Sequence, residues 1–242
     1  MKEIIISEVF GPTIQGEGPS VGQGAIFVRF GRCNLDCSWC DTPYTWDWMG
    51  KNGTPHNPKD ELSRWTPDNL VNYVNSLYNK DLAADARLVV ITGGEPLIQR
   101  GGAIQLTSQL VAHGFHVEFE TNGTFEPLDV AAPHSYNVSP KLPSSGVDPA
   151  KALKYEVLAQ YARLAYRDEA ALKFVIASDE DLAAANKVIS RLDWPADRIW
   201  LMPEGRDVVT LDKGIEFLKA ADTEYQISDR LHVRKWGDVR GH

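Results

Sequence analysis

The stretch Cys33-Asn-Leu-Asp-Cys37-Ser-Trp-Cys40-Asp-Thr42 holds all three cysteines of the 242-residue chain. Three thiols cannot all pair within one chain, and their clustering reads as shared metal binding rather than a disulfide framework. The spacing C-x3-C-x2-C follows an apolar run at 25–30 and Gly31, so one loop leaving a strand carries every sulfur. A structural zinc site wants four tetrahedral ligands, and His56 is the only nearby candidate for the fourth. A four-iron, four-sulfur cluster normally takes four thiolates, so three leave one iron open to a small molecule. The iron–sulfur reading is the more economical of the two.

Outward from this loop, apolar runs alternate with amphipathic stretches. Strands are predicted over 4–9, 25–30, 88–91, 115–120, 136–138, 172–177, 199–202 and 225–227. Thr66-Pro67 opens a helix whose Leu70, Val71, Val74, Leu77 and Tyr78 share a face, with threonine as the cap and proline in the first turn. Ser178 and Asp181 form a capping-box pattern ahead of Leu182, Ala185, Ile189 and Leu192. Further helices are predicted near 104–112, 150–164 and 211–220. About six strand–helix units predict parallel strands with helices outside, short of the eight that close a barrel. The expected fold is therefore α/β, a modified partial (β/α)6 barrel, in a single domain over 1–242. Residues 43–65 carry Trp46, Trp48 and Trp65 among Gly, Asn, Pro and Lys, and read as an irregular loop serving as lid or packed flap.

The net charge of -8 argues against an extended nucleic-acid surface, which needs clustered Lys and Arg. No apolar run is long enough to cross a bilayer, and the stretch MKEIIISEVFG lacks a small-residue cleavage site. A cytoplasmic protein with neither nucleic-acid nor membrane partners is expected.

Four more motifs end in chemistry-bearing residues. Leu88-Val-Val-Ile-Thr92-Gly93-Gly94-Glu95-Pro96 is a buried-type strand running into two glycines and an acid, where backbone can approach a ligand and the acid can accept from an amine. Tyr136-Asn-Val-Ser139-Pro140-Lys141 ends another strand with a hydroxyl and an ammonium suited to a ribose or carboxylate. Lys173 and Leu201-Met202-Pro203-Glu204 stand at later strands, where an edge lysine and a proline-terminated strand are the plainer readings. Phe10-Gly-Pro-Thr-Ile14-Gln15-Gly16-Glu17-Gly18 sets an amide and a carboxylate between glycines, against which a planar ligand can lie. A carboxylate suits the guanidine-like edge of a pterin or guanine, and an arginine such as Arg29 suits a substrate carboxylate.

The cysteine spacing, with Trp39 before the last thiol, resembles the radical S-adenosylmethionine (SAM) enzymes, in which SAM chelates the open iron and is cleaved to a 5′-deoxyadenosyl radical. ITGGEP resembles that family's SAM-binding GGEP motif. With FGPTIQGEG, FVRFGRC, CSWCDT, NVSPK, LKFVI and HVRKWGDVRG added, the chain resembles the 7-carboxy-7-deazaguanine synthase family over most of its length. The resemblance implies a radical SAM type partial barrel that turns 6-carboxy-5,6,7,8-tetrahydropterin into 7-carboxy-7-deazaguanine and ammonia in 7-deazapurine biosynthesis. It implies a 4Fe-4S cluster on Cys33, Cys37 and Cys40, SAM held by Trp39, Gly94, Ser139, Pro140, Lys141, Met202, Pro203 and Glu204, and substrate held by Ile14, Gln15, Gly16, Glu17, Arg29, Thr92 and His232. Magnesium at Thr42, a homodimer, and an electron donor such as flavodoxin or ferredoxin are implied as well. The alternatives are a glycyl-radical-type activating enzyme, which leaves the Gln15-Gly-Glu17 pocket without a use, and a zinc-binding interaction module.

Overall fold

The computed structural model describes residues 3–78, 87–132 and 134–241. Its nine strands form one sheet in the order β3-β1-β2-β4-β5-β6-β7-β8-β9. Strand β1 (Ile4–Ile14) pairs antiparallel with β2 (Gly24–Phe30) and, on its other edge, with β3 (Ser63–Trp65). From β2 onward every pairing is parallel: β4 (Leu88–Gly93), β5 (His116–Thr121), β6 (Ser135–Val138), β7 (Ala170–Ile176), β8 (Ile199–Pro203) and the short β9 (Gln226–Ile227). Six full parallel strands whose outer edges do not meet make the partial barrel that the strand–helix count predicts.

Side chains alternate across this sheet, and the two faces receive different chemistry. One face, with Val28, Phe30, Val89, Ile91, Phe119, Val138, Leu172 and Phe174, packs against the helices in a continuous core. Among these helices are α2 (Pro67–Leu77), α3 (Arg100–Ala112), α5 (Tyr155–Ala165) and α6 (Asp179–Ile189), which contribute Leu70, Leu106, Tyr161 and Val188. On the other face, Ala25, Phe27, Leu88 and Val90 fill the lower end of the barrel, with Phe10 stacked on Phe27 at 5.0 Å. Above that plug the same alternation brings in Arg29, Thr92, Glu120, Asn137 and Lys173, so polarity rises toward the carboxyl ends of the strands.

Several local expectations need correction. The first strand runs to Ile14, because Ile14 pairs with Gly24; a register irregularity between Phe10 and Thr13 keeps Pro12, which has no N–H, out of the ladder. The helix expected at 150–164 is broken into α4 (Pro149–Ala152) and α5, letting Leu153 pack in beside Cys37. The Ser178 cap accepts from the Asp181 amide at 3.3 Å, but Asp181 does not complete a capping box. Fully buried, it accepts from the amides of Ala177 at 2.9 Å and Ser144 at 3.0 Å, tying the loop after β6 to α6. The irregular stretch at 43–65 contains α1 (Pro58–Glu61) and β3, and its Asp47 is 2% exposed and accepts from the amides of Lys51 and Asn52. The remaining helices, α7 (Val208–Ala220) and the unexpected α8 (Leu231–Trp236), follow β8 and β9. No helix among the described residues is long and apolar enough to cross a membrane.

Candidate active site

The cleft at the carboxyl ends of the strands spans about 1330 Å³, a volume that includes open solvent at its mouth. Its near wall is the cysteine loop, which leaves β2 and is held from several sides. The Gly94 amide donates to the Phe30 carbonyl at 3.1 Å, and the Glu95 amide to the Arg32 carbonyl at 2.9 Å. A Cβ at Gly93 would overlap the Phe30 backbone, and one at Gly94 the Arg32 carbonyl, so both glycines are required by the close approach of two loops. Glu95 does not face the cleft. It is fully buried and accepts from the amides of Leu97 and Asn122 and from the Thr121 hydroxyl. Burial pushes its carboxyl up to about 7 despite these donors. Its role is to brace the GGEP turn, which corrects the expectation that it receives an amine.

On the outer side, the Ser38 amide donates to the Ser145 carbonyl and the Trp39 indole to the Ser144 hydroxyl, the same loop that Asp181 anchors. Asn52 donates to the Cys37 carbonyl at 2.6 Å, and Arg206 to the carbonyls of Trp39 and Cys40 at 3.0 Å. Arg230 reaches Asp41 at 2.6 Å. All three cysteines are free and line the cleft, and they share an apolar setting with Leu35, Val147 and Ala152. Burial pushes the Cys33 thiol up to about 12 and the Cys37 thiol upward as well, so ionising them as ligands calls for an added positive charge such as iron. Among the described residues no set of three or more His, Cys, Asp or Glu side chains is arranged to hold a metal ion. His56 pairs with Glu61 at 3.5 Å, so the zinc reading lacks its fourth ligand. Three thiols spread along one wall suit a larger cluster with an open corner.

The opposite wall is polar. Gln15, 2% exposed, donates through Nε2 to Glu118 at 3.0 Å and Glu120 at 3.2 Å, and Thr92 donates to Glu120 at 2.8 Å. Glu17 forms ion pairs with Lys173 and with Arg230, the latter at 3.0 Å. Burial acts to raise the Glu17 carboxyl, but the Lys173 and Arg230 cations outweigh it and hold the group far below the ordinary carboxylate range. Lys173, on a central strand and 5% exposed, is therefore no edge lysine. Arg29, also far from a solvated edge, binds Glu8 at 2.7 Å. The His232 ring lies so close to Gly16 that any Cβ there would collide with it, and burial lowers its pKa, leaving it neutral at pH 7. Toward the mouth, Lys141 lies 5.6 Å from the Trp39 ring centre and donates to Ser139 at 3.2 Å.

Every residue expected at the site lines this cleft except Pro140, which is buried and packs toward Gly123 instead. Sequence reasoning missed Asp41, Glu120, Asn137 and Arg230. Asn137 is 1% exposed, lines the cleft, and has no partner for its amide nitrogen or oxygen among the described residues. The inward period-2 positions of 120 and 137 were the available signal for the two strand residues, whereas Asp41 and Arg230 lie outside the strands and offered none.

A tri-cysteine loop after the first parallel strand of a partial barrel, facing a glycine turn at the end of the next, is the architecture of a radical SAM enzyme, and the model of the Radical SAM superfamily matches residues 27–145. The chain is 32% identical to the 7-carboxy-7-deazaguanine synthase of Rhodopirellula baltica, over 98% of this chain and 88% of that protein. It is 30% identical to the enzyme of the same name from Pyrobaculum aerophilum, over 98% and 96%. The crystal structure of QueE from Escherichia coli superposes with a TM-score of 0.68 at 29% identity, covering 95% of each chain. The chain belongs to the 7-carboxy-7-deazaguanine synthase family of radical SAM proteins.

Proposed function

We propose that this chain converts 6-carboxy-5,6,7,8-tetrahydropterin into 7-carboxy-7-deazaguanine and ammonia, using a 4Fe-4S cluster and SAM. The observation that carries the reading is one cleft with three thiols on one wall and, opposite, a buried polar wall of Gln15, Glu17, Glu120, Asn137, Lys173 and Arg29. When bound, the cluster and SAM supply one-electron, hydrogen-abstracting chemistry. The chain's own residues bind and orient. Cys33, Cys37 and Cys40 hold the cluster; Trp39, Gly94, Ser139, Lys141, Met202, Pro203 and Glu204 form the SAM side. Arg29 offers a guanidinium to the substrate carboxylate, and Ile14 to Gly16, Thr92 and neutral His232 surround the ring. Glu17 keeps Lys173 and Arg230 fixed at the floor while facing the same space. A walled cleft also keeps water from the reacting carbon.

Asn137 fits the reading through its unused donor and acceptor, which match the adjacent N–H and C=O of a pterin's pyrimidinone edge. Asn137→Ala is expected to raise KM for the carboxypterin about tenfold with iron content unchanged, the scale of one buried hydrogen bond. Steady-state kinetics on reconstituted protein check this, and an unaltered KM removes Asn137 from the substrate contacts. Thr42 lines the cleft two residues past the last cysteine, and its hydroxyl is the oxygen offered to magnesium. Thr42→Ala should therefore leave a basal rate and abolish most of its stimulation by added magnesium; equal stimulation in both proteins counts against the ligand role.

The function itself is tested by anaerobic reconstitution followed by incubation with SAM, reductant and the carboxypterin. Formation of 5′-deoxyadenosine without a deazapurine would keep the chemistry and discard the substrate. A single domain over 1–242 and a cytoplasmic location rest on the reading of the sequence, and a homodimer and a small donor such as flavodoxin or ferredoxin on the family resemblance alone.

A further inference from the structure

The segment after the last cysteine carries a hydrogen-bond donor aimed at the metal site. The Trp46 indole nitrogen lies 3.3 Å from Cys40 Sγ. The other nearby indole, that of Trp39, turns its N–H away to the Ser144 hydroxyl at 3.2 Å. Trp46 is fixed where it stands. Its amide donates to the Pro43 carbonyl at 3.0 Å, the fully buried Thr45 donates through its hydroxyl to the Thr42 carbonyl at 2.8 Å, and the Thr45 carbonyl accepts from Arg32 at 2.7 Å. The next residue, Asp47, pins the following turn through two amide bonds, and Asn52 from that turn holds the Cys37 carbonyl. The donor is thus preorganised by the same scaffold that positions two of the ligands.

We infer that Trp46 tunes the cluster: its N–H donates to the Cys40 thiolate and raises the cluster's reduction potential. Reduction adds an electron to iron and sulfur atoms whose thiolates already carry negative charge, so a donor facing a ligand sulfur favours the reduced state more than the oxidised one. Trp46 lines the cleft itself, beside thiols packed with apolar Leu35, Val147 and Ala152, where one dipole acts more strongly than in water. This makes part of the 43–65 segment an electronic element of the site, beyond a lid or a packed flap.

The inference rests on the three cysteines holding a four-iron cluster, and the test separates the two. Wild-type protein and Trp46→Phe, which keeps an aromatic ring and loses the N–H, are reconstituted anaerobically, assayed for iron, and poised at a series of potentials while the reduced cluster is followed by EPR. The expected result is full iron content in both and a more negative midpoint in the variant. At fixed ambient potential its reduced-to-oxidised ratio falls by up to about tenfold, equivalent to about 59 mV for one electron. Equal midpoints with full clusters overturn the role of Trp46 and leave the cluster reading intact; wild-type protein that binds no four-iron cluster overturns the cluster reading. If the variant fails to take up iron, pulsed EPR of the reduced wild-type protein containing tryptophan labelled with 15N in the indole decides the matter. A 15N coupling to the cluster that persists when Trp39→Phe removes the other nearby indole is expected, and its absence overturns the inference.

Discussion

Cys33→Ala, Cys37→Ala and Cys40→Ala should each give a folded protein with no stable four-iron cluster and no detectable deazapurine, a loss of more than about 10⁶-fold. The expectation follows from the absence, among the described residues, of a free side chain placed to substitute as ligand. His56 is occupied by Glu61, and Glu95 is turned into the core by the amides of Leu97 and Asn122. Folding should survive, because the thiols pack in a small cluster with Leu35, Val147 and Ala152, separate from the main core. Iron per chain, absorbance near 400 nm, far-ultraviolet circular dichroism and product formation together check this. A single-cysteine variant that keeps four irons and makes product would show that the loop does not hold the cluster as described.

Lys173→Met should destabilise the protein by about 3 kcal/mol, the low end for breaking a buried ion pair, because Arg230 still faces Glu17. For a chain of this size that lowers the melting temperature by about 6–12 °C. Adding Glu17→Gln should restore part of the loss, since the carboxylate left short of a partner is then gone. The pH dependence has a definite sign. Glu17 is held below its ordinary value of 4.5, so its stabilisation is complete above pH 4.5 and is lost as pH falls toward the depressed value. Lys173 is raised above its ordinary 10.5, burial being outweighed by Glu17, so its share is complete below that pH and is lost above it. The difference in melting temperature between wild type and Lys173→Met should be level from about pH 5 to pH 10 and narrow below pH 4.5. A constant difference down to pH 3 would mean that Lys173 stabilises by packing and not by charge.

The barrel was legible because its parallel strands are short apolar runs bounded by turn residues, as at 88–91 and 172–177, and this local signal survives without context. Strand β3 was not, since Ser63-Arg-Trp65 has no apolar pattern and exists only because β1 offers it an edge. The cysteine wall was legible from spacing alone. The polar wall was only half legible: Gln15, Glu17 and Arg29 sit in readable motifs, whereas Asn137, Glu120 and Arg230 acquire meaning from strand register and from a helix start more than 200 residues away from Glu17. Lys173 was misjudged for the same reason, because an isolated lysine in a strand looks exposed until its partner is known.

Arg230 joins Glu17, Asp41 and the Gly205 carbonyl, and two of these partners precede it by 213 and 189 positions. Contacts of such separation form late, after the intervening sheet has assembled. During synthesis the cysteine loop leaves the ribosome early, but its Asp41 flank lacks its hydrogen-bonded cation until residue 230 has emerged and docked, Arg29 and Lys141 acting on Asp41 without such a bond. Folding is thereby given an order: a nascent chain exposes its thiols before Arg230 has closed this side of their loop.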